Sequence, residues 1–319
     1  KTEMSFSVNS KFLVWNSKDF FNFSFLANFK KIKLLIDIVR FNYLAKNYKN
    51  KGNISKWLKI YKFSNLFVES YLLPMTSAIW SSTSKEIKNY PAESMNSFLK
   101  NHGLLNLYDR PQWYSVLGGS SSYVEKLLDL KIFDVRLNSK VKINRSNNKI
   151  FISNKDKSDE YDLLIMANHP NHIIECIDDL SEKEKNVMQS IKYQKNITIL
   201  HGDESLMPKD KKQWCSWNVY KDDNYEYVTY WMNNLQKINT SKNIFVTLGN
   251  FPKPNLIFNK MEYEHPVFDF KALEGQKAFK EIQSEKNTYY TGAYLGYGFH
   301  EDGIKSSQVV CKLINNRDS

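Results

Sequence analysis

The chain has 319 residues, of which 42% are hydrophobic and 14% are aromatic, enough for a substantial buried core in one elaborate domain or two. Its 45 Lys and Arg exceed its 34 Asp and Glu, but the basic residues form no stripe on a recognition motif, so no nucleic-acid partner is indicated. Three widely spaced cysteines without a CxxC pair, and no apolar run approaching about 18 residues, predict a cytoplasmic protein without a metal site or a membrane-spanning helix.

The N-terminal part is predicted to be mainly helical after one initial strand. Residues 4–8, MSFSV, alternate polar and apolar side chains as a strand does. Apolar residues recur at helical spacing over 20–48 and over 54–66, with Gly52 between them. We expect these helices to pack as a cap on the rest of the protein. The alternative is that their basic, aromatic face lies on a membrane surface.

A paired glycine and a run of serines precede a predicted helix near residue 120. Gly118, Gly119 and Ser120 form a loop whose backbone amides are open to a ligand as the chain enters that helix. A plain capped helix has the same sequence, so both interpretations stay open.

Strand-like segments follow at 134–137, 141–143, 150–152 and 161–166. The last of these is a continuous apolar run, typical of a strand that is buried on both faces of a parallel sheet. It ends at Ala167 and Asn168. The next residues include His169 and His172, which have no convergent partners in the sequence and therefore predict no metal site.

The chain becomes rich in strands after residue 196. Segments at 197–201, 213–219, 225–232 and 244–248, separated by polar turns such as KDDN, predict an antiparallel sheet that forms the floor of a substrate pocket. A helix is predicted from about residue 270 to 283.

Glycines are concentrated near the C-terminus, at Gly292, Gly296, Gly298 and Gly303. They predict a strand, a tight turn and then a helix that is capped at its N-terminus by Asp302. Such a turn can receive an anion or an electron-rich ring edge, although an ordinary strand-to-helix connection has the same pattern. It is not a first dinucleotide-binding turn, because Glu301 occupies the position of the third glycine and too little chain follows.

The sequence of this turn, GAYLGYGFHEDGIKSS (residues 292–307), closely resembles the C-terminal signature of a bacterial family of FAD-dependent oxidoreductases within the flavin amine-oxidase superfamily. Members of that family are associated with cyclopropane fatty acid synthases. The likeness extends over nearly the whole chain, including RPQW (110–113), LHGDESLMP (200–208), WCSWN (214–218) and TYWMNNLQ (229–236). In the family, a glycine-rich GxGxxG segment precedes the MSFS stretch. That segment is not among these residues. It is joined upstream, carried by a second polypeptide, or lost from this protein.

The resemblance implies an α/β fold with an α+β substrate part: an incomplete, Rossmann-like FAD-binding domain, and a substrate domain with a helical cap and a mixed or antiparallel sheet, similar to amine oxidases and glutathione reductase. Residues 1–112 and 171–285 are then assigned to the substrate domain. Residues 113–170 and 286–319 are assigned to the FAD-binding domain.

The resemblance also implies FAD as the cofactor, with hydride transfer to or from a fatty-acyl or other lipid-like substrate, or an amine. Neither a GxSxG motif nor a P-loop suggests other chemistry. The helix dipole near Asp302 is expected to favour the anionic reduced flavin by about 0.3–1 kcal/mol. The residues assigned to the substrate pocket are Trp217, Asn218, Tyr230 and His300. The residues assigned to the flavin are Gly118, Gly119, Ser120, Val141, Ala167, Asn168, Gly292, Ala293, Gly298, Phe299, His300, Glu301, Asp302 and Gly303.

The alternative function belongs to another class. It is a non-catalytic remnant or partner subunit that cannot bind FAD alone, with a lipid or a membrane surface as its ligand.

Overall fold

A computed structural model describes residues 1–18, 27–48, 52–106, 111–154 and 157–317. The start of the helix predicted over 20–48 lies outside these ranges. The chain forms two compact units. Unit 1 comprises residues 1–132 and 195–263, and unit 2 comprises residues 133–194 and 264–319. The functional assignment of domain boundaries made from the sequence stays a prediction.

The strands are numbered in chain order: β1 (Phe6–Ser10), β2 (Val14–Asn16), β3 (Lys142–Ser146), β4 (Lys149–Ser153), β5 (Ser158–Tyr161), β6 (Leu164–Met166), β7 (Tyr193–His201), β8 (Trp217–Lys221), β9 (Glu226–Trp231), β10 (Phe245–Asn250), β11 (Ile257–Pro266) and β12 (Thr288–Tyr290). The α-helices are α1 (Phe29–Lys46), α2 (Ile54–Ile60), α3 (Asn65–Phe67), α4 (Leu73–Trp80), α5 (Ser84–Ile87), α6 (Ala92–Asn101), α7 (Ser121–Asp129), α8 (Pro170–Cys176), α9 (Glu182–Gln189), α10 (Met232–Leu235), α11 (Phe270–Ala278) and α12 (His300–Arg317). A π-helical turn, Val68–Leu72, joins α3 to α4.

The main sheet is mixed, with the strand order β11-β7-β10-β9-β8-β1-β2 in the described part of the chain. β1 runs parallel to β8, whereas β2 pairs antiparallel with β1, β9 with β8, and β10 with both β9 and β7. Its interior contains one polar chain: His201 Nε2 lies 2.8 Å from Thr247 Oγ1, which lies 2.7 Å from Thr229 Oγ1. These mutual hydrogen bonds allow polar groups to be buried without leaving a donor or acceptor unsatisfied.

The helices of unit 1 pack through aromatic side chains. In α1, Leu34, Ile38, Phe41 and Ala45 recur at helical spacing and are buried. The Phe41 ring lies 5.1 Å from the Trp57 ring and 5.3 Å from that of Phe67. These contacts join α1, α2 and α3 into one helical layer, which agrees with the predicted helical N-terminal part over the residues described.

Unit 2 contains two small sheets and a common apolar core. The antiparallel sheet β3-β4-β5 and the parallel pair β6-β12 pack with helices α8, α9 and α11. The strand predicted at 134–137 is wrong. These residues are not in a strand and form no β-pairing with the described strands, and Val135 and Leu137 are exposed, so their alternation does not reflect burial against a core.

A buried ion pair ties the elements of unit 2 together. The Arg145 side chain on β3 donates to both carboxylate oxygens of Glu184 on α9, at 2.6 and 2.9 Å, and to Thr288 and Tyr290 on β12, at 3.3 Å each. Asp179 accepts further bonds from Arg145 Nε at 3.2 Å. Burial alone would raise the pKa of Glu184, but the hydrogen bonds from Arg145 and its neighbours lower it to about 2.

Among the described residues, no helix combines the length and apolarity that crossing a bilayer requires.

The Arg145–Glu184 pair generates a stability prediction. Replacing Glu184 by Gln leaves the Arg145 charge buried without its main partner, so the free energy of unfolding at pH 7 should fall by about 3–5 kcal/mol. Glu184 has a folded-state pKa below its ordinary value of 4.5, so its contribution is complete above about pH 4.5 and is lost as the pH falls toward 2.

Urea denaturation of wild type and Glu184→Gln at a series of pH values measures both effects. The matched control is Glu182→Gln in the first turn of the same helix, whose side chain is 83% exposed and forms a surface ion pair with Lys185. Equal losses in the two variants, or the same acid dependence in wild type and Glu184→Gln, would contradict the assignment.

Candidate functional site

Two chain segments of unit 2 leave the parallel pair of strands at the same edge. β12 pairs with β6 in the register Thr288 to Leu164 and Tyr290 to Met166, and Thr291 N donates to Met166 O at 3.0 Å. Because the strands are parallel, the residues after β6 and those after β12 both emerge at the carboxyl end of the sheet, which is the edge where open α/β sheets bind ligands. The residues brought together at this edge are Ala167, Asn168, Gly292 and Ala293.

Hydroxyl groups of α12 hold the start of the turn. Thr291 Oγ1 lies 2.7 Å from Ser306 Oγ and 2.9 Å from Ser307 Oγ, and Gly292 N donates to Ser306 Oγ at 3.0 Å. Ser306 and Ser307 both belong to the first half of α12. Their hydrogen bonds fix the turn onto this part of the helix.

The role predicted for Asp302 is wrong in detail, because α12 begins at His300 and Asp302 lies in its first turn. Its carboxylate reaches back and accepts hydrogen bonds from the backbone N–H of Tyr297 and of Phe299, each at 3.0 Å. This resembles the second half of a capping box, in which a third-position acid satisfies the amide of the capping residue. The carboxylate therefore uses two amides of the turn that a bound anion would otherwise have as partners.

Glycine is required at two positions of the turn. A Cβ on Gly296 would lie 2.4 Å from Asp302 Oδ1, and Gly298 has a φ of +93°, which side chains rarely adopt. A Cβ on Gly303, in the first turn of α12, would lie 3.8 Å from Ala293 N. The helix backbone thus passes beside the Ala293 amide, and a side chain at 303 would fill the space between them. Because position 303 has no side chain, no Cβ covers the Ala293 amide from that side, which fits a contact with the flavin that the resemblance implies.

The other residues assigned to the flavin lie elsewhere. Val141 precedes β3 and packs against the core of unit 2 while half-buried. Gly118 and Gly119 both have positive φ, at +80° and +82°, in an exposed turn of unit 1 before α7. Ser120 does not cap α7 through its side chain, whereas Ser122 Oγ donates to Gly119 O at 2.7 Å. The assignment of these residues to a cofactor stays a prediction.

Two of the predicted pocket residues are neighbours in the sheet of unit 1. Trp217 on β8 is paired with Tyr230 on β9, and their rings meet edge to face at 5.0 Å. Tyr230 Oη donates to Ala78 O at 3.1 Å, and burial raises the pKa of this phenol. The buried Trp217 Nε1 has no hydrogen-bond partner among the described residues.

Asn218 and His300 differ from these two. The Asn218 side chain is buried and engaged with backbone: Oδ1 accepts from Cys215 N, and Nδ2 donates to Cys215 O and Thr229 O. It holds the loop before β8 and has no donor or acceptor directed to a ligand in this arrangement. His300 belongs to unit 2, where it is exposed at the start of α12.

The structure also brings together side chains for which the sequence indicated no partners. His169 and His172 converge with Glu264, which lies on β11 in a distant part of the sequence. A hydrogen bond from Asn171 lowers the pKa of the Glu264 carboxyl, while burial and then the neighbouring His172 lower the pKa of His169. The only local signal was the three-residue spacing of the histidines.

The comparisons with known proteins identify the fold. No family model matches the chain, and no curated protein matches it in sequence. A CLA-producing fatty acid isomerase from P. acnes is similar in structure, with a TM-score of 0.67 and 13% identity over 98% of this chain and 80% of that one. A putative protoporphyrinogen oxidase from Exiguobacterium sp. 255-15 has a TM-score of 0.66 and 11% identity over 99% of this chain and 81% of that one.

Cyclohexylamine oxidase from Brevibacterium oxydans IH-35A has a TM-score of 0.64 and 10% identity over 99% of this chain and 81% of its own. The chain therefore shares its fold with these enzymes, and the predicted α/β class with a helical part and a mixed sheet is confirmed. Identities this low show the fold alone.

Asp302 provides a test of the turn. Replacing it by Ala removes the acceptor from the Tyr297 and Phe299 amides, so the turn should open locally more often, at a cost of about 1–3 kcal/mol. Hydrogen exchange of peptides covering 296–303 should become faster. The matched control is Glu301→Ala, which also removes a first-turn acid, but one that is exposed and forms an ion pair with Lys305 at 3.6 Å. Unchanged exchange in Asp302→Ala, or the same change in both variants, would refute this role.

Proposed function

We propose that this chain forms the substrate-binding and flavin-contacting part of an FAD-dependent oxidoreductase that transfers hydride between the flavin and an organic substrate. The observation that carries the proposal is the parallel pairing of β6 and β12, which brings Ala167, Asn168, Gly292 and Ala293 to one edge of the sheet. The shared fold supports the proposal independently, because the structural match to the fatty acid isomerase covers 98% of this chain.

The chain's own residues would bind and orient the cofactor. Gly292, Ala293 and the first turn of α12 offer a flat backbone surface, and Gly303 leaves the Ala293 amide accessible to a ring edge. Thr291 and Ser306 would keep that surface rigid. The flavin supplies the hydride chemistry, whereas the protein supplies binding, orientation and electrostatics.

We propose that the substrate contacts Trp217 and Tyr230. Their edge-to-face rings form an apolar surface, and the unpartnered Trp217 N–H would recover its hydrogen bond from an acceptor on the substrate, such as a carboxylate or carbonyl oxygen. A fatty-acyl chain has both features. The shared fold with an enzyme whose substrate is a fatty acid is consistent with this choice over a small amine.

We further propose that FAD binding requires a dinucleotide-binding segment, joined upstream or carried by a second polypeptide. Within the described residues β6 is paired only on the side of β12, whose outer edge is covered by Gln283 bonding to both backbone groups of Tyr290. Ile165 on β6 is 47% exposed. Parallel strands are normally covered on both faces, so a further parallel strand beside β6 would complete the sheet and provide a helix N-terminus for the pyrophosphate.

Flavin binding should depend on the absence of a side chain at Gly303. The chain, mixed with a polypeptide that carries a strand-GxGxxG-helix segment, should retain FAD through gel filtration. Gly303→Val should weaken FAD binding by about tenfold or more, because its side chain occupies the space beside the Ala293 amide. Gln308→Val, an exposed position on the same helix, is the control and should bind as wild type.

FAD retention is read from the visible flavin spectrum, and circular dichroism confirms that each variant is folded. Retention by the chain without the added segment would contradict only the requirement for that segment. A mixture that retains no flavin, or equal retention by Gly303→Val and wild type, would contradict the proposed flavin site.

A second proposal concerns the exposed face of α1. Phe29, Ile36 and Tyr43 are spaced by seven residues, so they lie on one face of the helix, and they are 79%, 62% and 72% exposed. Exposed lysines, including Lys33, lie on the same or adjacent faces. An exposed apolar row with basic neighbours fits the surface of an anionic membrane.

We expect the protein to associate with vesicles containing phosphatidylserine, less strongly at high salt because the Debye length shortens. Ile36→Glu should lower vesicle binding by about tenfold or more, since burying an isoleucine side chain in the membrane stabilises the bound state by about 1.5–3 kcal/mol. Co-sedimentation measures the effect, with Ile60→Glu, 59% exposed on α2, as the matched control. Binding that is absent, or equally affected by both variants, would refute this surface.

A further inference from the structure

The two histidines that flank the first turn of α8 and a glutamate of β11 present their ligand atoms to one point of unit 2. Glu264 Oε2 lies 3.2 Å from His172 Nε2 and 3.7 Å from His169 Nδ1, and all three ligand atoms lie within 4.8 Å of one another. Tetrahedral zinc with bonds of about 2.0–2.2 Å separates its ligand atoms by roughly 3.3–3.5 Å. We propose that His169, His172 and Glu264 bind a divalent transition-metal ion of the zinc class.

Neighbouring groups hold the three side chains in place. Asn171 Nδ2 donates to Glu264 Oε2 at 2.9 Å and so orients the carboxylate, as outer-shell partners of metal ligands do. The His169 ring stacks on Tyr193 at 4.4 Å and on His172 at 5.5 Å, with 23° between the planes in both cases. Little rearrangement is therefore needed to receive an ion.

One ligand atom also lacks a partner. His169 Nδ1 is buried and makes no hydrogen bond to any described residue, since its 3.7 Å separation from Glu264 is too long for one. A buried polar atom in this state costs free energy, and coordination of a metal would remove that cost. The geometry of the cluster thus has an explanation that a simple surface ion pair between Glu264 and His172 does not give.

The donor set selects the class of ion. Two imidazole nitrogens and one carboxylate oxygen suit Zn²⁺, Co²⁺ or Ni²⁺, whereas Mg²⁺ and Ca²⁺ prefer oxygen ligands only. The histidine side chains are 42% and 49% exposed, so an ion can enter and a water or an anionic ligand can take the fourth position. A bound ion would fasten the start of α8, just beyond Ala167 and Asn168, to the end of β11.

Calorimetric titration of the chelator-treated protein with Zn²⁺, in the absence of flavin, tests the site. We expect one ion per chain with a micromolar or tighter Kd, a visible spectrum typical of tetrahedral Co²⁺, and no binding of Mg²⁺. His172→Ala and Glu264→Gln should each weaken Zn²⁺ binding by more than about a hundredfold. Asn171→Ala should weaken it by about ten- to a hundredfold, through the orientation of Glu264.

Glu262→Gln is the matched control, because Glu262 lies two residues away on the same strand and forms an ion pair with Lys195 at 2.8 Å. It should bind Zn²⁺ as wild type does, and thermal unfolding without metal confirms that all variants are folded. Cys176→Ser tests whether the partly buried thiol at the end of α8 is a ligand of the ion. The proposal would be overturned if wild-type protein binds no stoichiometric Zn²⁺, or if His172→Ala and Glu264→Gln bind it as tightly as wild type. Loss of binding in Cys176→Ser alone would also overturn it.

Discussion

The buried Arg145–Glu184 pair is the constraint on which the arrangement of unit 2 depends. Two charges removed from water are tolerated only where hydrogen bonds replace the lost hydration, and Arg145 meets this condition by bonding to Glu184, Asp179, Thr288 and Tyr290. Because these partners come from a helix, a loop and a strand, the guanidinium fixes the position of β12 relative to β3 and α9. The glycine turn begins one residue beyond Tyr290, so its place at the sheet edge follows from this network.

A second set of polar contacts connects β12 and the glycine turn to α12. Thr291 bonds to Met166 through its backbone and to Ser306 through its hydroxyl, and Asp302 closes the turn by accepting from Tyr297 and Phe299. The result is a hydrogen-bonded backbone surface with no side chain at Gly303 beside Ala293. The Asp302 carboxylate also offsets the positive end of the helix dipole, so any electrostatic preference of this helix terminus for an anion must be smaller than the sequence suggested.

Much of the fold could be predicted from local patterns. The apolar run before Ala167 indicated a parallel strand, and glycines followed by an apolar period indicated the turn and α12, because these features depend on neighbouring residues only. The strand is shorter than predicted, Leu164–Met166, and Ile165 on it is 47% exposed, so among the described residues it is not buried on both faces. Long-range contacts were not predictable in this way. Arg145 lies in a short strand where a charge usually marks a solvated face, and the convergence of His169 with Glu264 depends on how distant segments meet. Asp is a residue type that often caps helices, but the direction in which the Asp302 carboxylate points depends on the close approach of Gly296.

We propose that the carboxyl edge of β6 and β12 receives the flavin. The most direct measurement is hydrogen exchange, with and without FAD, of the chain assembled with a dinucleotide-binding segment. We expect FAD to slow exchange in peptides covering 166–168 and 291–303, with the largest effect around Ala293 and the first turn of α12. Protection by FAD confined to other segments, with exchange in 291–303 unchanged, would contradict it.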